Sequence, residues 1–183
     1  MALRHVLLTV LARGEMSGYD IAKDFEAVYS HFWRASHQQI YKELARLHEE
    51  GGVSVKVVAQ RSRPDKKVYA LTKQGLEELK DWVVSPTEFP APKYDLLVKL
   101  LAHPVADRRS FQRECDRILA SAQEWLRTLR AMRRECVRER EKGWSEHDHV
   151  LYLALRRGLL LGEAQVRWLN EVRRYLASGE LPD

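Results

Sequence analysis

Residues 32–71 read FWRASHQQIYKELARLHEEGGVSVKVVAQRSRPDKKVYAL, and this stretch decides the fold. Ser36 stands where a helix N-cap belongs, its hydroxyl placed to accept from a free backbone N–H of the first turn. Ile40, Leu44 and Leu47 repeat at helical spacing, so one face turns to a core. Gly51 and Gly52 end the helix, because glycine takes the left-handed conformation at low cost. The opposite face carries Gln38, Lys42, Ala45 and Arg46, flanked by Gln39 and Tyr41. Such groups bond base edges and phosphates. Val53, Val55 and Val57 then alternate as a half-buried strand does. Residues 60–66 make a polar turn around Pro64-Asp65, and residues 67–71 return as a second strand. Between Val53 and Lys73, six cations (Lys56, Arg61, Arg63, Lys66, Lys67 and Lys73) stand against one acid, Asp65. A helix with a polar outer face, followed by a cationic hairpin, predicts a winged helix on a phosphate backbone.

Working outward toward the N-terminus, Leu3, Val6, Leu7, Val10 and Leu11 recur at helical spacing up to Gly14. Ser17 is the next N-cap, opening a helix at Gly18-Tyr19-Asp20 with Ile21, Phe25 and Val28 inward. Phe32 and Trp33 are expected to plug the small core before Ser36. Two helices with a short connection, the second polar outside, make a helix-turn-helix. Toward the C-terminus, Thr72 caps a helix through Val84, with Leu76, Leu79 and Trp82 or Val83 inward. Pro86, Pro90 and Pro92 then exclude a continuing helix and mark a boundary. The expected division is a winged-helix head at 1–85, a proline-rich linker at 86–93 and a helical part at 94–183.

The helical part opens with a short helix from Tyr94 to His103. In the long one that follows, Phe111, Cys115, Ile118, Ala122, Trp125, Leu129, Met132 and Cys136 alternate in steps of four and three. This is an unbroken heptad seam. Gly143 ends it, and Ser145-Glu146-His147-Asp148 resembles a capping box for the last helix. That helix is apolar nearly all round from Val150 to Leu161, then narrows to Val166, Leu169, Val172 and Leu176. One chain offers one long partner helix for all this surface. The surplus predicts a homodimer, with Gly158 and Gly162 permitting close helix approach. A dimer would present two reading helices to one duplex about a turn apart. Trp125, Tyr152 and Trp168 are expected to line a pocket for a small-molecule effector.

The composition is that of a folded protein: 183 residues, 45% hydrophobic, with a net charge of +5. Residues 1–85 hold 13 basic and 11 acidic side chains, so the cationic patch is confined to the hairpin. Cys115 and Cys136 lie about 31 Å apart if both sit on one helix at 1.5 Å per residue. They cannot bridge within it, and they read as thiols of a reducing cytoplasm. Residues 6–11 are too short an apolar run for a secretory signal, and nothing approaches membrane-spanning length. His147 and His149 fall on opposite sides of a helix. No cysteine pair has metal spacing, and no glycine-rich phosphate loop occurs. Glu49-Glu50 and Glu77-Glu78 read as solvated helix faces. The chain is therefore expected to be no enzyme and to hold no metal and no cofactor.

The order of these motifs resembles the phenolic-acid decarboxylase regulator (PadR) family. The resemblance is carried by Gly18-Tyr19-Asp20-Ile21, Phe32-Trp33, Ala35-Ser36, Gln39-Ile40-Tyr41, Leu44, Leu47, Pro64-Asp65-Lys66-Lys67-Val68-Tyr69, Leu71-Thr72 and Gly75. The distal half resembles that family's long form, with a virulence-activator-like helical tail. The resemblance implies a dimeric bacterial transcription factor, most often a repressor, released from DNA by a small aromatic or lipophilic molecule. Lys42 departs from the family's proline and keeps a donor facing the groove. Gly52 stands in place of a large aliphatic residue, which predicts a looser entry into the wing. The fold class expected is mainly α: an N-terminal winged helix-turn-helix with a two-stranded wing, then a C-terminal helical dimerisation domain. The partners expected are double-stranded DNA, a second copy of the chain and an effector, with no membrane. The DNA-binding residues expected are Ser36, Gln38, Gln39, Tyr41, Lys42, Arg61, Arg63, Lys66 and Lys67. The alternative function is a winged-helix protein-interaction module without specific DNA binding.

Overall fold

A computed structural model describes residues 2–30, 33–59, 65–87, 94–140 and 143–181. They form two compact units, Met1–Pro90 and Ala91–Asp183. In the first, helix α1 (Ala2–Leu11) is followed by a two-residue strand β1 (Met16–Ser17) and helix α2 (Gly18–Asp24). The reading helix α3 (His37–Glu49), strands β2 (Val53–Val58) and β3 (Lys66–Leu71) and helix α4 (Lys73–Val84) complete it. This is the expected winged helix-turn-helix, with one addition. β1 pairs antiparallel with β3, so the sheet has three strands in the order β1-β3-β2. Tyr69 is the hinge of that sheet, opposite Met16 on one side and Val55 on the other.

The core is made by the periodic residues. Leu7, Leu8 and Val10 of α1, Ile21 and Phe25 of the second helix and Ile40, Leu44 and Leu47 of α3 are all buried with Val53 and Tyr69. Burial fades along β2, from Val53 at 1% exposed to Val57 at 58%, because the hairpin runs out beyond the helices. Several expectations need correction. α2 runs on into a π-helical turn over Phe25–Tyr29, which places Tyr29 as well as Phe25 in the core. Trp33 is not a core plug, since it is 38% exposed; Phe32 lies outside the described residues. Leu76, Trp82 and Val83 are exposed too, while Leu79 is buried as expected and Gly75 is buried with it. Trp82 stacks on the buried His5 ring, with centroids 4.3 Å apart.

Entry into the wing is tight rather than loose. The Gly52 carbonyl accepts from the Thr72 backbone N–H at 3.2 Å and from its hydroxyl at 3.0 Å. Gly75 packs so closely on it that an added Cβ would lie 2.1 Å from that oxygen. Nor are the acidic pairs simply solvated faces. Arg4 donates to both Glu78 oxygens and, at 2.6 Å, to Glu50. That cluster pins α1 to α4 and to the end of α3.

The second unit holds α5 (Asp95–Ala102), a 3₁₀ turn at His103–Val105, and two 33-residue helices, α6 (Arg108–Arg140) and α7 (Glu146–Ser178). α6 and α7 lie against each other within one chain. Near their open end Phe111, Cys115 and Leu119 pack with Leu96, Leu169, Val172 and Leu176. Farther along, Leu126 and Leu129 pack with Leu155 and Leu159. Arg108 and Gln112 donate to the Leu176 carbonyl at 2.8 and 2.7 Å, tying the start of α6 to the end of α7. Ser145 caps α7 in a full capping box with Asp148. The two cysteines are free thiols. Among the described residues no helix is long and apolar enough to cross a membrane.

Candidate nucleic-acid interface

The outer face of α3 is polar because its inner face is committed to the core. Gln38, Gln39, Tyr41, Lys42, Ala45 and Arg46 are all exposed. Ser36 and Gln39 also do local work. The Ser36 hydroxyl accepts from the Gln39 N–H at 3.2 Å, and Gln39 Oε1 accepts from the Ser36 N–H at 2.8 Å. This reciprocal box fixes where the helix begins, and it leaves the Nε2 donors of Gln39 for an outside partner. Arg46 is likewise held by Glu50 at 2.7 Å. Among the described residues, Gln38 and Lys42 carry no such bond.

Beside α3 lies an open groove of about 830 Å³, walled by the start of α2, by Tyr41 and Ala45 of α3 and by Asp65, Lys66, Lys67 and Tyr69 of the wing. Gly18 makes it possible: a Cβ there would come within 2.7 Å of the Tyr41 ring. Tyr41 is thus wedged over the first residue of α2, next to Tyr69, whose hydroxyl burial pushes above the usual tyrosine range. Asp20 accepts from the Ser17 hydroxyl at 2.6 Å and pairs with Lys66 at 3.2 Å. Those two contacts hold its carboxyl below the usual carboxylate range. Tyr41, Lys66 and Lys67 therefore come together around one groove, with Gln38 and Lys42 on the same helix as Tyr41. Arg61 and Arg63 lie outside the described residues.

Two residues of this surface escaped the sequence reading. Tyr19, 69% exposed, stands at the groove's edge; an aromatic just after an N-cap was the signal. Arg34 lines a small cleft with Ser36 and Gln39, where the free N–H groups of the reading helix favour an anion. The aromatic trio expected in the second unit does not converge in one chain. Trp168 packs beside Tyr94, with centroids 5.9 Å apart. Trp125 lies against Gly162, and Tyr152 against Trp144 at 5.2 Å.

A cationic hairpin beside a polar helix of a helix-turn-helix defines a winged-helix DNA-binding regulator of transcription. Residues 7–81 match the transcriptional regulator PadR-like family, and residues 92–177 match the virulence activator alpha C-terminal family. A probable transcriptional regulator of Mycobacterium tuberculosis is 31% identical over 96% of this chain and 98% of its own. The negative transcriptional regulator PadR of Bacillus subtilis is 30% identical over 93% of this chain and 94% of its own. That protein's structure in complex with operator DNA covers 96% of this chain and 99% of its own, with a TM-score of 0.81 at 29% identity. The virulence activator AphA of Vibrio cholerae covers 97% and 99%, with a TM-score of 0.83 at 29% identity. The chain belongs to the PadR-like family and is a transcriptional regulator, not an enzyme.

Proposed function

We propose that the chain is a cytoplasmic, homodimeric repressor that reads a palindromic operator and is released by a small hydrophobic or aromatic effector. The convergence of Tyr41, Lys66 and Lys67 on one groove beside the polar face of α3 carries this reading. In it, residues 1–85 are the DNA-reading head, 86–93 the linker, and 94–183 the dimerising and sensing part. Gln38 and the free donors of Gln39 address base edges, where glutamine pairs well with adenine. Ser36 sets the helix start. Tyr41, Lys42, Lys66, Lys67 and the wing cations Arg61 and Arg63 address phosphates. Support comes from the B. subtilis relative, solved both on operator DNA and with p-coumaric acid. Repression is supported by that relative's description as a negative regulator.

Selection of bound duplexes from a random pool should return a palindrome with half-sites about one helical turn apart. Lys66→Ala with Lys67→Ala should weaken binding to every duplex alike. It should also lower the slope of log K against log salt by about 2, since each phosphate neutralised contributes about 0.9. An unchanged slope would remove the wing from the interface, and failure to retain any duplex at low salt would favour an interaction module instead.

A further inference from the structure

The far end of the α6–α7 pair holds a cavity that DNA reading does not use. It measures about 470 Å³ and is walled by Met132, Glu135, Cys136, Gly143, Trp144, Asp148 and Leu151. A two-ring molecule fits that volume, as small-ligand sites run from about 300 to 1,000 Å³. The floor is apolar and aromatic. The Trp144 ring is fixed edge-on to His149 at 5.2 Å and tilted against Tyr152 at 5.2 Å. Burial, with the nearby Asp148 charge, pushes the Cys136 thiol up, so it stays a neutral wall.

Among the described residues of that wall the charged groups are two acids, although α6 is rich in arginine. Glu135 meets Arg138 through Oε2 alone, at 3.2 Å. Asp148 spends Oδ2 on the Ser145 N–H at 2.9 Å and the Ser145 hydroxyl at 2.6 Å. Those bonds hold its carboxyl below the usual range, so it is charged at neutral pH. Each acid thus keeps its second oxygen unengaged among the described residues. The indole also accepts cations, as the Arg140 guanidinium 5.5 Å from its centroid demonstrates. Arg140 is not part of the cavity wall.

We propose that this cavity binds a small aromatic cation, an aryl amine or aryl quaternary ammonium, with its ring over Trp144 and its charge between Glu135 and Asp148. A cation over an indole in a partly desolvated site is favoured by the ring's quadrupole, and the two carboxylates repel the equivalent anion. The inference stands apart from effector release, since the cavity binds or fails to bind whether or not DNA responds.

The test is calorimetric titration of the full-length protein with 2-naphthyltrimethylammonium and with 2-naphthoate, which share a ring and differ in sign. The cation should bind at least tenfold more tightly. Glu135→Gln, a change at a largely exposed side chain that spares the Ser145–Asp148 cap, should weaken the cation about threefold to tenfold and leave 2-naphthoate no weaker. Trp144→Leu should weaken it further, with helix content checked by circular dichroism. Equal or tighter binding of 2-naphthoate to the unmodified protein, or cation binding that neither substitution moves, overturns the proposal. Cation binding without any loss of operator affinity would uphold this site and count against its role in release.

Discussion

Arg4 is the residue on which three elements of the head meet. Its side chain is 15% exposed, and its guanidinium serves both oxygens of Glu78, whose side chain is 29% exposed, as well as Glu50. The bonds from Arg4 hold the Glu78 carboxyl below its ordinary value of 4.5. A group whose folded pKa is depressed contributes stability that is whole above the unfolded value and lost as pH falls through the folded one. Glu78→Gln should therefore destabilise the head by about 1–3 kcal/mol at neutral pH, the range for a charge-assisted bond with little solvent. The same variant should show a flatter decline of stability below pH 4.5 than the unmodified chain. Denaturant melts across that range check both. A parallel decline would mean that Glu78 is not the titrating partner. None of this was legible in Glu77-Glu78, because the partner lies 74 positions away. Ser36 and Gln39 were half legible. Ser-x-x-Gln is a capping-box spacing, yet only the structure shows the glutamine oxygen spent on the cap.

At the scale of elements, the long seam was legible as a period and only partly as a face. Ile118, Trp125, Met132 and Cys136 lie at its margin, whereas Leu119 and Leu126 join Phe111, Cys115 and Leu129 as buried residues. A straight helix turns every 3.6 residues and drifts about 20° per heptad from a 3.5-residue seam, so the buried stripe migrates along α6. The two-residue strand β1 and the π-helical turn were illegible for a related reason: neither is long enough to impose a period. The glycines of α7 were expected to permit close helix approach within a dimer, whereas the helix packed on them here is α6 of the same chain. An added Cβ at Gly162 would sit 2.9 Å from the Trp125 ring and 3.2 Å from Leu126, whereas at Gly158 the closest atom is a Leu129 methyl at 3.1 Å. Helix propensity alone favours alanine over glycine by about 1 kcal/mol. Overpacking against an indole costs about 1–3 kcal/mol, so Gly162→Ala should lower the melting temperature. Gly158→Ala, which meets one flexible methyl, should leave it level or raise it. The reverse order in calorimetry would mean that Trp125 rotates away freely.

At the scale of the molecule, the question is what covers α7. Leu155, Leu159 and Leu169 turn toward α6 and are buried. On the opposite side Val150, Leu153, Leu160 and Leu161 are 59, 66, 52 and 49% exposed. Residues seven apart share a helix face, so Leu153 and Leu160 belong to one apolar stripe that a lone chain leaves in water. Exposed stripes of this kind mark association surfaces, and a symmetric dimer would cover it with the same stripe of a second chain. Leu153→Glu with Leu160→Glu places two charges there without touching the α6 contact. The expected product sediments as a folded monomer at micromolar concentration while the unmodified chain sediments as a dimer. Operator binding should fall about 100-fold or more, because linked half-sites gain about 10²–10⁴ in avidity over a single one. The salt slope per head should stay unchanged, since the phosphate contacts proposed above all lie in the head. A double variant that remains dimeric would move the interface off this stripe. A monomer that kept full operator affinity would show that one head suffices, and the palindrome would lose its physical reason.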